Sequence, residues 1–130
     1  MDKREHITYW KDASAKDWNA VSSLFTSGNY VHALFFAHLT IEKLSKAVWV
    51  KDNEENIPPR VHNILKVLQQ TNMNLSPEQS EFIVRLNSFQ LEGRYPDYTG
   101  KIFKLCTKEY TAEILKSVND LRLCLLNELP

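Results

Sequence analysis

Three ionisable residues recur every fourth position in one stretch, His38-Leu39-Thr40-Ile41-Glu42-Lys43-Leu44-Ser45-Lys46. On a helix, that spacing stacks His38, Glu42 and Lys46 along one face. An imidazole, a carboxylate and an ammonium in a row can exchange protons, hold an anion, or only support the helix. Glu preceding Lys at this spacing is the favourable order, worth about 0.2–0.5 kcal/mol. The neighbouring residues are strongly apolar, and ionisable groups in such surroundings need partners.

A second group, Glu92-Gly93-Arg94-Tyr95-Pro96-Asp97, gathers a guanidinium, a phenol and a carboxylate. Arg94 has the geometry to hold Glu42 or a phosphate with two hydrogen bonds. Tyr95 can stack on a base or pack, and Asp97 can accept from the backbone N–H groups of its own turn. His62 follows Pro58-Pro59-Arg60. It reads either as a hydrogen-bonding residue at the start of a helix or as part of a shared polar site. The four histidines form no metal-ligand pattern with cysteine or paired acid, and no cofactor is expected. A Gly-rich phosphate loop and a serine nucleophile elbow are both absent.

The elements that must position these groups read as helices throughout. Ile7, Trp10, Trp18, Val21, Leu24 and Phe25 keep helical spacing and predict a helix over 4–26. Gly28 or Asn29 is suited to end it in a left-handed cap. The next helix, 30–51, is apolar on most sides, which predicts a central element or one that meets a partner. After a polar loop ending in Pro58-Pro59, a shorter helix is expected over 61–70. Ser76, Pro77 and Glu78 mark the start of a fourth. The stretch 93–100 reads as irregular, since Tyr95 precedes a proline. A last helix is expected over 107–128, with 101–106 either extending it or forming a separate turn. Short loops favour antiparallel neighbours, so the expectation is an all-α, up-and-down antiparallel bundle of four to five helices in a single domain over 1–130.

Composition limits the function classes. At 130 residues, with 43% hydrophobic and 25% charged, the chain can build one core, and only three glycines argue against a turn-rich β-sandwich. Lysine plus arginine total 16, equal to aspartate plus glutamate. Binding that relies on nonspecific phosphate contacts would call for a basic chain, so any nucleic-acid role must rest on a local patch. If Cys106 and Cys124 share one straight helix they stand about 27 Å apart, well beyond the roughly 7 Å limit for a disulfide. Two reduced thiols suit the cytosol. The N-terminus has no apolar signal core, and no apolar run would span a bilayer.

Taken together, Ser27-Gly28-Asn29-Tyr30, the stretch 35–47 with Glu42-Lys43-Leu44-Ser45-Lys46, the Pro-rich loop before His62, and Gly93-Arg94-Tyr95-Pro96-Asp97 resemble HEPN domains, in the same order and over nearly the whole chain. The resemblance is to the Arg-Tyr-Pro-Asp type, and Glu42, Lys46, Arg94, Tyr95 and Asp97 match its motif positions, with His62 beside them. It implies a helical bundle that often forms homodimers and is often paired with a small nucleotidyltransferase in toxin–antitoxin-like systems. A nucleotide or RNA ligand is implied as well. Many members are metal-independent ribonucleases that carry an arginine followed, four to six residues on, by histidine. Here the positions after Arg85 hold Gln90, Leu91 and Glu92. The expectation is therefore a binding module with candidate ligand residues His38, Glu42, Lys46, His62, Arg94, Tyr95 and Asp97 and no assigned catalytic residue. The alternatives are a divergent ribonuclease, using Arg85 or Arg94 with His62 or Tyr95, and a purely structural dimerisation domain.

Overall fold

Helix signals and stop signals in the chain account for most element boundaries. The computed structural model describes residues 1–94 and 100–130, apart from the side chains of 91–94. The elements are α1 (Lys3–Thr26), α2 (Tyr30–Asp52), α3 (Ile64–Leu68), α4 (Pro77–Arg94), α5 (Lys101–Leu105) and α6 (Lys108–Asn127). The described residues hold no strand, and the all-α class stands, with four long helices and two short ones.

Asp2 caps α1 by accepting from the backbone N–H of Glu5 at 2.8 Å. At the other end the chain reverses through Gly28, whose φ of 80° only glycine adopts without strain. Gly28 N–H donates to the Phe25 carbonyl and Asn29 N–H to that of Leu24, the paired bonds of a Schellman ending. α4 begins with a reciprocal capping box: Gln79 N–H donates to Ser76 Oγ at 3.1 Å, and Ser76 N–H donates to Gln79 Oε1 at 2.9 Å. Thr107 caps α6 through the N–H of Tyr110.

The expected third helix, 61–70, shrinks to Ile64–Leu68. The reason is local. Asn63 takes an extended backbone and accepts from Lys66 N–H at 3.2 Å, so it starts the helix as its cap and leaves Val61 and His62 outside it. The backbone of Gly93 and Arg94, expected to be irregular, instead completes α4. Residues 101–105 form a separate turn of helix, and Cys106 ends it. Cys106 and Cys124 therefore do not share one helix, as the distance argument had supposed, although both are free. Burial pushes the Cys106 thiol up to about 11, so it is a protonated core group.

α2 is the hub, packing against each of the other five helices. Ala33, Leu34, Ala37, Ile41, Leu44, Ala47, Val48 and Val50 on it are essentially inaccessible. Its hydroxyls tolerate the dry setting by bonding back one turn, Thr40 to the Phe36 carbonyl at 2.9 Å and Ser45 to that of Ile41 at 2.7 Å. The apolar character of α2 thus reflects a central position. Its C-terminal end is held by Lys3, whose ammonium donates to the carbonyls of Val50 (2.7 Å) and Asn53 (2.6 Å) and to Asn56 Oδ1 (2.9 Å). A cation at the negative end of a helix dipole is favourable, and here it also ties the start of α1 to the loop after α2. Midway along, Lys43 pairs with Asp17 of α1 at 2.7 Å. No helix among the described residues is long and apolar enough to cross a membrane.

Candidate functional site

The central helix carries its ionisable stripe inward. His38 is 0% exposed, Glu42 4% and Lys46 7%. A buried carboxylate is costly unless its oxygens are bonded. Glu42 meets that demand on both sides. Its Oε2 accepts from Lys46 Nζ at 3.1 Å, one turn along α2. Its Oε1 lies 3.1 Å from His62 Nδ1, in the segment before α3, and 3.7 Å from His38 Nδ1. His62 itself is about half exposed, so the cluster reaches from the interior to the surface.

A relay of amides fixes the other side of His38. Asn63 Oδ1 is committed as acceptor by its cap bond from Lys66 N–H. The Asn87 group 3.1 Å from it must then be the amide nitrogen, and Asn87 Oδ1 faces Ile64 N–H (3.2 Å) and His38 Nε2 (3.0 Å). His38 Nε2 consequently carries a proton and donates. Its Nδ1 is buried and has no hydrogen-bond partner among the described residues. His38 Nδ1 thus lies 3.7 Å from Glu42 Oε1 without a hydrogen bond to it.

Burial holds the His38 imidazole below its ordinary value of 6.5, and the opposing pull of the Asn87 bond and the Glu42 charge does not outweigh it. In the folded state His38 stays neutral over a range in which an unfolded histidine takes up a proton. The unfolded chain then binds more protons, so stability is full above the ordinary value and is lost as pH falls below it toward the folded value. We expect urea midpoints to fall between about pH 7.5 and about pH 5, with a shallower fall in His38→Gln. The glutamine amide can still donate to Asn87 but does not titrate. Equal slopes in the two proteins would show that folded His38 takes up its proton as freely as the unfolded residue.

Four of the seven expected residues, His38, Glu42, Lys46 and His62, therefore form one connected group. Arg94, Tyr95 and Asp97 lie outside the described side chains, and so does the anticipated Arg94–Glu42 pair. Arg85, the alternative phosphate-binding arginine, lies elsewhere on the surface. Its Nη2 donates to the Tyr110 hydroxyl at 3.3 Å, in a depression shared with Ser88 and Ile102. Two positioning residues escaped the sequence reading, Asn63 and Asn87. Asn87 was detectable: it falls four residues after Ile83, on the stripe that α4 buries. Trp10 of α1 escaped as a neighbour of the site, and Lys46 Nζ sits 5.5 Å from its ring centre. No three His, Cys, Asp or Glu residues among those described are grouped to hold a metal.

The arrangement bonds the Glu42 carboxylate to buried Lys46 on one side and to half-exposed His62 on the other, and it sets the Lys46 ammonium beside the Trp10 ring. The family model described as HEPN domain matches residues 7–128. The chain belongs to the HEPN domain family. That stretch contains every residue of the Glu42 group, and membership makes this HEPN domain a module related to nucleotides and RNA. No curated protein and no solved structure matches the chain.

Proposed function

We propose that this HEPN domain binds a nucleotide or an RNA end at the Glu42 group, as a single interaction domain over 1–130 rather than as an enzyme. The observation that carries the reading is the convergence of His38, Glu42, Lys46 and His62 on the helix that every other helix contacts. An ionisable cluster in so apolar a setting is costly to keep, and one that opens to solvent through a half-exposed histidine is suited to an outside ligand. Arg94, Tyr95 and Asp97 belong to the proposed site by their motif positions. The lack of histidine at Gln90, Leu91 and Glu92 after Arg85 supports binding over RNA cleavage.

In this reading the domain works as a cytoplasmic homodimer beside a small nucleotidyltransferase, as in toxin–antitoxin-like pairs. Exposed Val84 on α4 and Phe103 and Leu105 on α5 supply apolar surface for a protein contact.

The test is a thermal-shift titration with nucleotides and short RNAs, run alongside Arg94→Ala and His62→Ala. A ligand that binds only the folded chain stabilises it by about 2.7 kcal/mol at a hundred times its Kd. The expected result is a concentration-dependent rise in Tm for the parent protein that is lost in both folded variants. An unchanged Tm with every nucleotide and RNA would overturn the proposal.

A further inference from the structure

Beside the Glu42 group, the start of α1 and the loop after α2 enclose an open groove of about 350 Å³. Its walls include His6, Tyr9, Trp10, Lys46, Ile57 and Arg60. The volume lies in the range of small-ligand sites. Two properties narrow the occupant. First, the groove is aromatic and open: Tyr9 is 57% exposed and Ile57 65%, and the Tyr9 and Trp10 rings meet edge to face with centres 5.3 Å apart. Large apolar side chains left in water around a concavity mark a surface that something flat can cover. Second, the lining holds no carboxylate, while it includes the guanidinium of Arg60 and the ammonium of Lys46. Glu42 already balances Lys46 at 3.1 Å. Arg60 is exposed and has no hydrogen-bond or ion-pair partner among the described residues, so its charge is available to an anion.

An aromatic floor with an uncommitted guanidinium at the rim matches a planar ring that carries a phosphate. We infer that this groove is a subsite for an unpaired nucleobase and its phosphate, with the base against Tyr9 and Ile57 and the phosphate on Arg60. The inference rests on the nucleotide-binding reading above and extends it to residues outside the Glu42 group and the Arg94-Tyr95-Pro96-Asp97 stretch. Lys46 joins the two places, since the same ammonium that bonds Glu42 also borders the groove and lies 5.5 Å from the Trp10 ring centre. Occupancy of the groove would therefore be felt at Glu42. The same chemistry is offered by a free mononucleotide and by the phosphorylated end of a single-stranded RNA.

The experiment titrates the full chain with adenosine, AMP, and a short single-stranded RNA with and without a 5′-phosphate, following tryptophan fluorescence and Tm. Tyr9→Ala and Arg60→Ala are compared with the parent. Both side chains are exposed, and circular dichroism serves to check that each variant is folded. We expect Tyr9→Ala to weaken adenosine and AMP alike by about tenfold, the loss of one stacking contact. Arg60→Ala should weaken AMP by a similar factor, leave adenosine unchanged, and be partly rescued by Arg60→Lys. AMP binding with RNA excluded assigns the groove to free nucleotides; a preference for the phosphorylated RNA over both AMP and unphosphorylated RNA assigns it to an RNA end. Nucleotide binding that is identical in the parent and both variants overturns the groove while leaving the Glu42 site standing. Failure of every nucleotide and RNA to bind overturns both readings, and selective binding of an acidic, Phe-containing peptide would give the groove to a protein partner instead.

Discussion

Replacing Glu42 with alanine should destabilise the fold by about 3–5 kcal/mol, the range for breaking a buried ion pair by removing one partner. The loss has identifiable sources. Lys46, 7% exposed, would keep its charge with no carboxylate at 3.1 Å to balance it. His62 Nδ1 would lose its partner at 3.1 Å, and the segment ahead of α3 would lose that tie to α2. Urea denaturation of the variant measures the change directly. Removing the orphaned charge as well, in Glu42→Ala with Lys46→Met, should restore part of the loss, because most of the cost lies in the unpaired ammonium. A single-variant loss below about 1 kcal/mol would place the cluster in water. A double variant no more stable than the single would mean that Lys46 reaches solvent once released.

The second large effect is expected at Asn87. Its Oδ1 accepts from His38 Nε2 and from Ile64 N–H, and its Nδ2 donates to the capping Asn63. Asn87→Leu removes all three bonds and leaves two buried donors without an acceptor, each costing about 1–3 kcal/mol. A total loss of roughly 2–4 kcal/mol is expected, some of it recovered because the site is only partly buried. Asn87→Asp separates the bonding role from the shape. It keeps both acceptor positions, loses the donor toward Asn63, and sets a negative charge about 3 Å from His38 Nε2. That charge favours the imidazolium, so the His38 titration should move upward in Asn87→Asp, as followed by ring NMR. The same spectra report the tautomer. A neutral His38 with its proton on Nδ1 in the parent protein would contradict the amide relay.

These effects bear on the choice between a ligand site and a structural cluster. A structural cluster predicts loss of stability in Glu42→Ala and no response to ligand. A ligand site predicts both the stability loss and a Tm rise that depends on residues reaching the surface, His62 among them, although removing His62 also takes a bond from Glu42 Oε1. The exposed positions carry the functional argument for that reason.

Much of this organisation was legible from residue order. Spacing of apolar residues placed the long helices within a residue or two, because burying one face is a property of each segment by itself. Caps were equally local: Ser76, Pro77 and Gly28 did what their side chains and backbone freedom dictate wherever they occur. The spacing of four that put His38, Glu42 and Lys46 on one face of α2 was likewise contained in the chain. Membership of the HEPN family, too, was legible in the residue order.

What the chain order did not contain was which way that face points. An i, i+4 stripe looks the same whether it meets water or a core, and only the packing of five helices around α2 turned it inward. The partners of Glu42 and His38 come from distant points, His62 twenty residues away and Asn87 forty-nine. Such contacts depend on where α3 and α4 dock, which no local propensity specifies. The third helix failed for the same reason. Its apolar spacing from Val61 to Leu68 suited a longer helix, but Asn63 satisfied its bonds as a cap and to Asn87, and that freed His62 to reach Glu42. The groove of Tyr9, Trp10 and Arg60 likewise forms where α1 and the loop after α2 meet, a junction that Lys3 ties together. Residue types and periods determined the helices and nominated the chemistry; burial, direction and partnership were settled by long-range packing, because only there do desolvation and hydrogen bonding act between residues remote in the chain.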